Sequence, residues 1–316
     1  MKRYSLWLTL VPLVVAVLGY YWYWSGQRDA FRAEVARVLP GAAVTVGGFP
    51  YRLEATVVAP VRRSRAPDIA AQVSAASAVI NRGPFQRDLS VVRTTSPQVT
   101  ARIPALAASG LRITAPAAQS SLHLDKAGNI ARLSTVFEAA RIDAALLGAV
   151  ATATSLEVHV RETPGRLSEP WSPTLPERAQ VVLAGEGVRL AAGAPLRLAA
   201  DLRVTGPTRL VDYARWAGAG SVQIRGLTLA DKTGEVLRMD ATLIAAGGLP
   251  RLAGTIDTVC PASVNAALTG ARVSEQRLRI AVKLTLRGSP GAWVLSGVPA
   301  PGRPVRAQQP ACPALR

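Results

Sequence analysis

Two histidines, His123 and His159, and two cysteines, Cys260 and Cys312, bound the chemistry open to this chain. A metal site needs several His, Cys or carboxylate ligands at spacings that a turn, strand or helix can bring together. Each histidine sits instead inside an alternation of apolar and polar residues, the pattern of a strand, and reads as structural or surface-lying. There is no HExxH, no phosphate-binding P-loop and no GxSxG elbow. Gly218-Ala219-Gly220 begins a dinucleotide fingerprint, but Gln223 stands at the third glycine position and a strand-like run follows where a helix is required. Asp231, Glu235 and Asp240 are close in sequence, as the acid and base of a glycosidase could be. Asp231 is explained more simply as a turn-capping residue. These residues imply no catalytic, metal or cofactor site, and the chain is expected not to be an enzyme.

The cysteines are expected to serve each other. An isolated pair in a chain otherwise free of cysteine fits an oxidising compartment, and Cys312 lies in a proline-rich tail with little else to hold it. The alternative is two unrelated small buried residues. A bond closing a loop of about 52 residues contributes roughly 4 kcal/mol in the chain-entropy picture.

With 316 residues, 49% of them hydrophobic, the chain has ample material for a core, in one large β unit or two packed halves. The net charge of +17 raises the question of nucleic acid. Only Lys2, Lys126, Lys232 and Lys283 are lysine among the 37 basic residues, and the arginines are spread along the whole chain. The densest cluster, Arg62, Arg63 and Arg65, has no interleaved aromatics, so no nucleic-acid partner is expected; a solvated loop or headgroup contact fits better.

The amino terminus carries the strongest positional signal. Leu6 to Trp24 holds no charged residue and follows the basic head Met1-Lys2-Arg3. Nineteen helical residues reach about 28 Å, close to the hydrocarbon thickness of a bilayer. Its Leu and Val residues favour insertion by about 4 kcal/mol, which Pro12 and Gly19 reduce in part. Tyr20, Tyr21, Trp22, Tyr23 and Trp24 then place amphipathic rings at the membrane interface. No small-x-small cleavage site follows, so the run is expected to be an uncleaved signal anchor rather than a signal peptide. Arg28, Arg32 and Arg37 beyond the span outnumber Lys2 and Arg3 before it, which opposes a cytoplasmic amino terminus. Signal-anchor form and cysteine usage place the following domain in the periplasm nonetheless.

Behind the belt, Phe31, Val35, Val38 and Leu39 recur at helical spacing until Pro40-Gly41, predicting a short separate helix near the membrane surface. From Val44 the period becomes two. Arg277 to Arg287 is the clearest run, with Leu278, Ile280, Val282, Leu284 and Leu286 on one face and Arg279, Ala281, Lys283 and Thr285 on the other. Similar stretches are Ser121 to Leu124, Ser155 to Val160, Leu196 to Val204 and Ser221 to Leu229. Residues 125–129 and 231–234 have hairpin composition. Pro207 to Ala217 and Pro261 to Leu268 are helical candidates. The expected fold is mainly β: an N-terminal transmembrane helix, then a long antiparallel meander, as a sandwich or an open curved sheet, with two or three short helices.

The segment Gly47-Gly48-Phe49-Pro50-Tyr51-Arg52-Leu53, after an anchor and a helix, resembles the start of an uncharacterised family of alphaproteobacterial envelope proteins. Gly226-Leu227-Thr228-Leu229, Gly234-Glu235-Val236-Leu237, Asp240 and the strand pair ending at Gly297-Val298-Pro299 are similar to that family as well. The resemblance covers nearly the whole chain and implies a domain of unknown function with no residue roles to carry over. More loosely, anchor plus β-meander resembles AsmA-type envelope proteins, whose curved sheets are associated with lipid handling. Read by themselves, Gly47-Gly48-Phe49-Pro50 form a tight turn, with Phe49 or Tyr51 filling the core.

The expected organisation is residues 1–26 as cytoplasmic head and anchor, 27–298 as a periplasmic β-rich domain with its halves joined near 164–176, and 299–316 as a proline-rich tail over the surface. The expected function is membrane-anchored lipid or apolar-ligand handling, with a non-enzymatic structural or assembly scaffold of the envelope as the alternative. Partners would be inner-membrane lipids and other envelope proteins.

Overall fold

The computed structural model describes residues 6–63, 70–103, 107–126, 128–144, 149–163, 175–190, 193–207, 216, 218–246, 249–271, 278–289, 292–299 and 310–315. Its first element is one helix, α1 (Leu6–Val38), rather than a span followed by a separate surface helix. Nothing between Trp24 and Val38 stops a helix: Gly26 costs only propensity, and the first strong break is Pro40-Gly41, where Gly41 takes a left-handed φ of 84°. Trp24, Phe31 and Val35, spaced seven and four apart, form its buried stripe against the sheet. Among the described residues, no helix is long and apolar enough to cross a membrane.

Among the described residues, eighteen strands form one antiparallel sheet. They are β1 (Ala43–Gly47), β2 (Leu53–Val58), β3 (Val61–Arg63), β4 (Ala70–Ser74), β5 (Ser77–Arg82), β6 (Leu89–Thr95), β7 (Gln98–Ile103), β8 (Ala107–Thr114) and β9 (Ala117–Leu124). There follow β10 (Ile130–Ala144), β11 (Ala149–Glu162), β12 (Glu177–Leu190), β13 (Leu196–Thr205), β14 (Ser221–Asp231), β15 (Gly234–Ala246), β16 (Leu249–Thr258), β17 (Val282–Ser289) and β18 (Ala292–Pro299). β2 with β3, β4 with β5, β6 with β7 and β8 with β9 are halves of four long strands, since β10 pairs with β9 through Glu138 and with β8 from Arg141 on. Each long strand pairs with its sequence neighbours, up and down, from β1 at one edge to β18 at the other. The sheet is open.

A transverse kink runs across it. Ala59, Ser96, Ala139, Gly187 and Gly226, on every second long strand, all have positive φ between 47° and 67°. Bonds such as Ala59 N–H to the Ala76 carbonyl and Ser96 N–H to the Pro116 carbonyl carry the ladder through. The pleat inverts at this line: Ala115 and Ala118, Phe137 and Ala140, and Leu156 and Ala153 are buried pairs in one cluster, three residues apart instead of two. Ala59-Pro60, Ser96-Pro97 and Ala115-Pro116 mark it in the sequence, since proline cannot donate a rung.

The clearest alternating run is inverted at its start. The strand begins at Val282, and residues 278–281 before it are not strand, while Arg277 lies outside the described residues; Leu278 is 64% exposed, Ile280 faces solvent, and Arg279 is buried. Arg279 turns inward because it bonds the Asp231 carboxylate and, through Nε, the Pro310 carbonyl at 2.9 Å. From Val282 on, Leu284 and Leu286 are buried as the alternation requires.

The helix α2 (Pro261–Thr269) forms where expected and ends on Gly270 at a φ of 76°. Of the candidate Pro207 to Ala217, residues 208–215 and 217 lie outside the described residues; Trp216 is buried and donates from Nε1 to the Thr205 carbonyl at 2.8 Å. Residues 164–174 of the expected joint also lie outside them, while β11 and β12 on either side pair directly from Ala151–Leu190 to Glu162–Ala179. The tail does not simply run over the surface. Cys312 and Leu315 are buried, with Cys312 bonded to Cys260 beside α2.

Candidate functional site

The two faces of the sheet differ in chemistry. Leu122, Leu133, Val160, Val181, Leu202 and Ile224 are direct cross-strand partners on six successive strands, β9 to β14. All six are half-buried. At about 4.8 Å per strand the row is roughly 24 Å long, more than the half-thickness of a hydrocarbon core of about 30 Å. Ser120, Thr135, Val158, Leu183 and Ala200 form the next row, in which the only hydroxyls, those of Ser120 and Thr135, bond each other at 2.9 Å.

Each flank of this face has a cover. On the β1 side, Trp24, Phe31 and Val35 of α1 pack on Leu53, Ala55, Val57 and Ala78. Arg82 pins the helix: its guanidinium lies 4.2 Å from the Phe31 ring centroid and 2.8 Å from Glu34. Toward β18, Val264 of α2 with Cys312 and Leu315 of the tail packs on Leu229, Val236, Ile256 and Leu286. The Leu122 to Ile224 row lies half-buried between the two.

The opposite face is polar. There Arg132, Ser134, His159, Arg161, Gln180, Arg203 and Gln223 alternate with the apolar row, and Arg132, His159, Arg161 and Gln180 help line an open cavity of about 400 Å³. His159 stands 3.3 Å from Glu157. Arg203 bonds Asp201 and Glu177, each at 2.9 Å. Burial would raise the Asp201 carboxyl, but hydrogen bonds from Arg203 and Gln180 outweigh it and hold Asp201 below the ordinary range. Gln180, Asp201, Arg203 and Glu177 thus satisfy one another. The three carboxylates near the β14–β15 hairpin also go separate ways: Asp231 accepts from Thr233 and Arg279, Asp240 accepts the Gly226 N–H at 2.8 Å, and Glu235 is exposed.

The five aromatics of the belt are only partly free. Tyr20 donates to the Pro50 carbonyl, Tyr23 to that of Pro84 at 3.4 Å, and Trp24, 4% exposed, to that of Arg52 at 3.2 Å. Tyr21 is half-exposed and Trp22 is 80% exposed. Phe49 and Tyr51 do not fill the core: Tyr51 points to solvent and Phe49 lies against Tyr21 and Trp24 of α1. Neither Arg82 nor Phe85 stood out in the sequence, the first because a lone arginine in a strand reads as surface, the second because it sits in a Gly83-Pro84 turn.

A family model described as an uncharacterized protein conserved in bacteria (DUF2125) matches residues 30–236, from within α1 to β15. No curated protein and no solved structure matches the chain.

Proposed function

Because the chain belongs to the bacterial family DUF2125, whose description assigns no activity, we propose its function from its own geometry: a membrane-anchored periplasmic protein that holds or passes lipid acyl chains along the apolar face of its open sheet. The observation that carries the reading is the half-buried apolar row from Leu122 to Ile224, which neither cover reaches. A sheet face of this kind needs a cover, and a long, continuous, uncharged strip suits a flexible acyl chain. The reading likens the chain to AsmA-type envelope proteins in architecture, and assigns it no catalytic step.

We place the anchor in the first half of α1, held in the bilayer by its apolar surface, although no helix among the described residues has the length and hydropathy of a full span. Leu10, Val11, Leu13, Val14, Val15, Val17 and Leu18 are exposed, as are Pro12, Ala16 and Gly19 on the remaining side, so no side of this half is turned to the sheet. A helix apolar all round is stable only inside a protein core or in a bilayer. The disulfide between Cys260 and Cys312 supports an oxidising compartment such as the periplasm.

Full-length protein extracted from its natural membrane in mild detergent is expected to carry phospholipid in native mass spectrometry, and Leu183→Asp to lose most of it while remaining folded by circular dichroism. Leu183 is half-buried on the open part of the face, so a carboxylate there can reach water. Lipid-free wild-type protein would leave the scaffold function in its place.

A further inference from the structure

The aromatic belt of α1 does not stand alone at its level. The turn between β1 and β2 brings Phe49 within 5.4 Å of Tyr21 and 5.3 Å of Trp24, ring centroid to centroid. The turn between β5 and β6 brings Phe85 into a stack on Tyr23 at 5.4 Å. Two hairpin tips are thereby clasped to one turn of the helix, just where its exposed apolar run begins. The outward rings are bare: Trp22 is 80%, Tyr51 87% and Phe85 72% exposed. Arg28, Arg52 and Arg87 sit around them; Arg28 lies 5.8 Å from the Trp24 ring centroid, and Arg87 bonds Gln27 at 2.9 Å. Large rings with polar tips and arginines gathered beside an apolar helix match the chemistry of a bilayer interface, with apolar chains on one side and phosphates on the other.

We propose that the hairpin tips Gly48–Arg52 and Gly83–Asp88 dock into the interfacial layer of the same bilayer that takes α1, with Phe49, Tyr51 and Phe85 joining Trp22 as anchors and Arg52 and Arg87 facing lipid phosphates. The proposal rests on the anchor reading and adds an orientation to it. A single helix would let the domain swing; three anchoring points fix the sheet upright. The edge held against the membrane is the one nearest the apolar row, because Leu122, Leu133, Val160, Val181, Leu202 and Ile224 all lie within four residues of the strand ends on that side. A lipid could then move from the bilayer onto the row without its acyl chains crossing open water.

The test uses the full chain with its disulfide intact, carrying one added cysteine labelled with an environment-sensitive nitrobenzoxadiazole dye. The sites are Tyr51→Cys, Phe85→Cys and, as reference, Lys232→Cys at the β14–β15 turn. β14 separates that turn from the docking edge by about 30 Å. Each protein is reconstituted into vesicles of phosphatidylethanolamine and phosphatidylglycerol. Labels at 51 and 85 are expected to shift to the blue and lose intensity to lipid spin-labelled near its headgroup, and the label at 232 to do neither. Labels at 51 and 85 as aqueous as that at 232, in protein that floats with the vesicles, would overturn the docking and leave the anchor standing. Protein that fails to float with the vesicles would overturn the anchor reading and the docking with it.

Discussion

Arg279 is a single side chain that ties three parts of the chain together: the strand entry at Ile280, the β14–β15 turn through Asp231, and the tail through the Pro310 carbonyl. Its side chain is 6% exposed and that of Asp231 13%. Removing one partner of such a pair leaves a charge with little water around it, so Arg279→Ala is expected to cost about 3 kcal/mol. The Arg238 to Asp240 pair, more than half exposed on both sides, should cost under about 0.5 kcal/mol on Arg238→Ala. Burial alone would raise the Asp231 carboxyl, but hydrogen bonds from Thr233 and Arg279 outweigh it and hold Asp231 below the ordinary value. A lowered folded-state value means a contribution that is complete above the unfolded carboxyl pKa near 4 and is lost as pH falls below it through the folded value. Urea denaturation between neutral pH and pH 3 should therefore show acid weakening in the wild type that is shallower in Arg279→Ala; equal slopes and a negligible loss would contradict this assignment. The alternation from Arg277 could not reveal any of it. Period-two reading assigns Arg279 to the wet face, and only a partner distant in sequence reverses that.

Among the elements, the hairpin turns at 125–129 and 231–234, the helix α2 and most strands were legible, because Asp, Gly and Pro announce turns and one-sided strands announce themselves by period two. The transverse kink was not. Burial three residues apart, as in Phe137 and Ala140, breaks the period being read, and the kink is visible only when neighbouring strands are aligned. Gly187 is its tightest point: φ is +61°, and a Cβ there would lie 2.1 Å from the Thr154 hydroxyl oxygen. Gly187→Ala is expected to destabilise by about 2 kcal/mol from backbone conformation and crowding together, measured as a drop in the urea midpoint. Thr154→Ala in the same chain should restore the crowding part alone. A neutral Gly187→Ala would mean that the kink line tolerates an ordinary bulge at β12. The unbroken α1 was missed for a different reason, since the change from an apolar run to an amphipathic stripe at Trp24 reads as a boundary although the backbone has no cause to stop there.

Across the whole molecule, the sequence contained the apolar face but not its openness. Alternation along each strand is the same for a sandwich, a barrel or an open sheet, because all three bury one side. The difference lies in what covers the face, and the covers of its two flanks here are α1 on the β1 side and α2 with residues 310–315, joined by Cys260 to Cys312, on the β18 side. Between them six strands carry the half-buried row from Leu122 to Ile224. Whether that row meets lipid in the cell is the central question, and site-specific photocrosslinking answers it most directly. Benzoylphenylalanine would replace Leu133 or Leu183 on the apolar face and, as controls, Ser134 or Val182, their neighbours on the polar face. After irradiation of living cells, phospholipid-mass adducts are predicted at 133 and 183 and none at 134 and 182; apolar-face positions that give no lipid adduct, or no more than the polar-face controls, would contradict lipid carriage on this face.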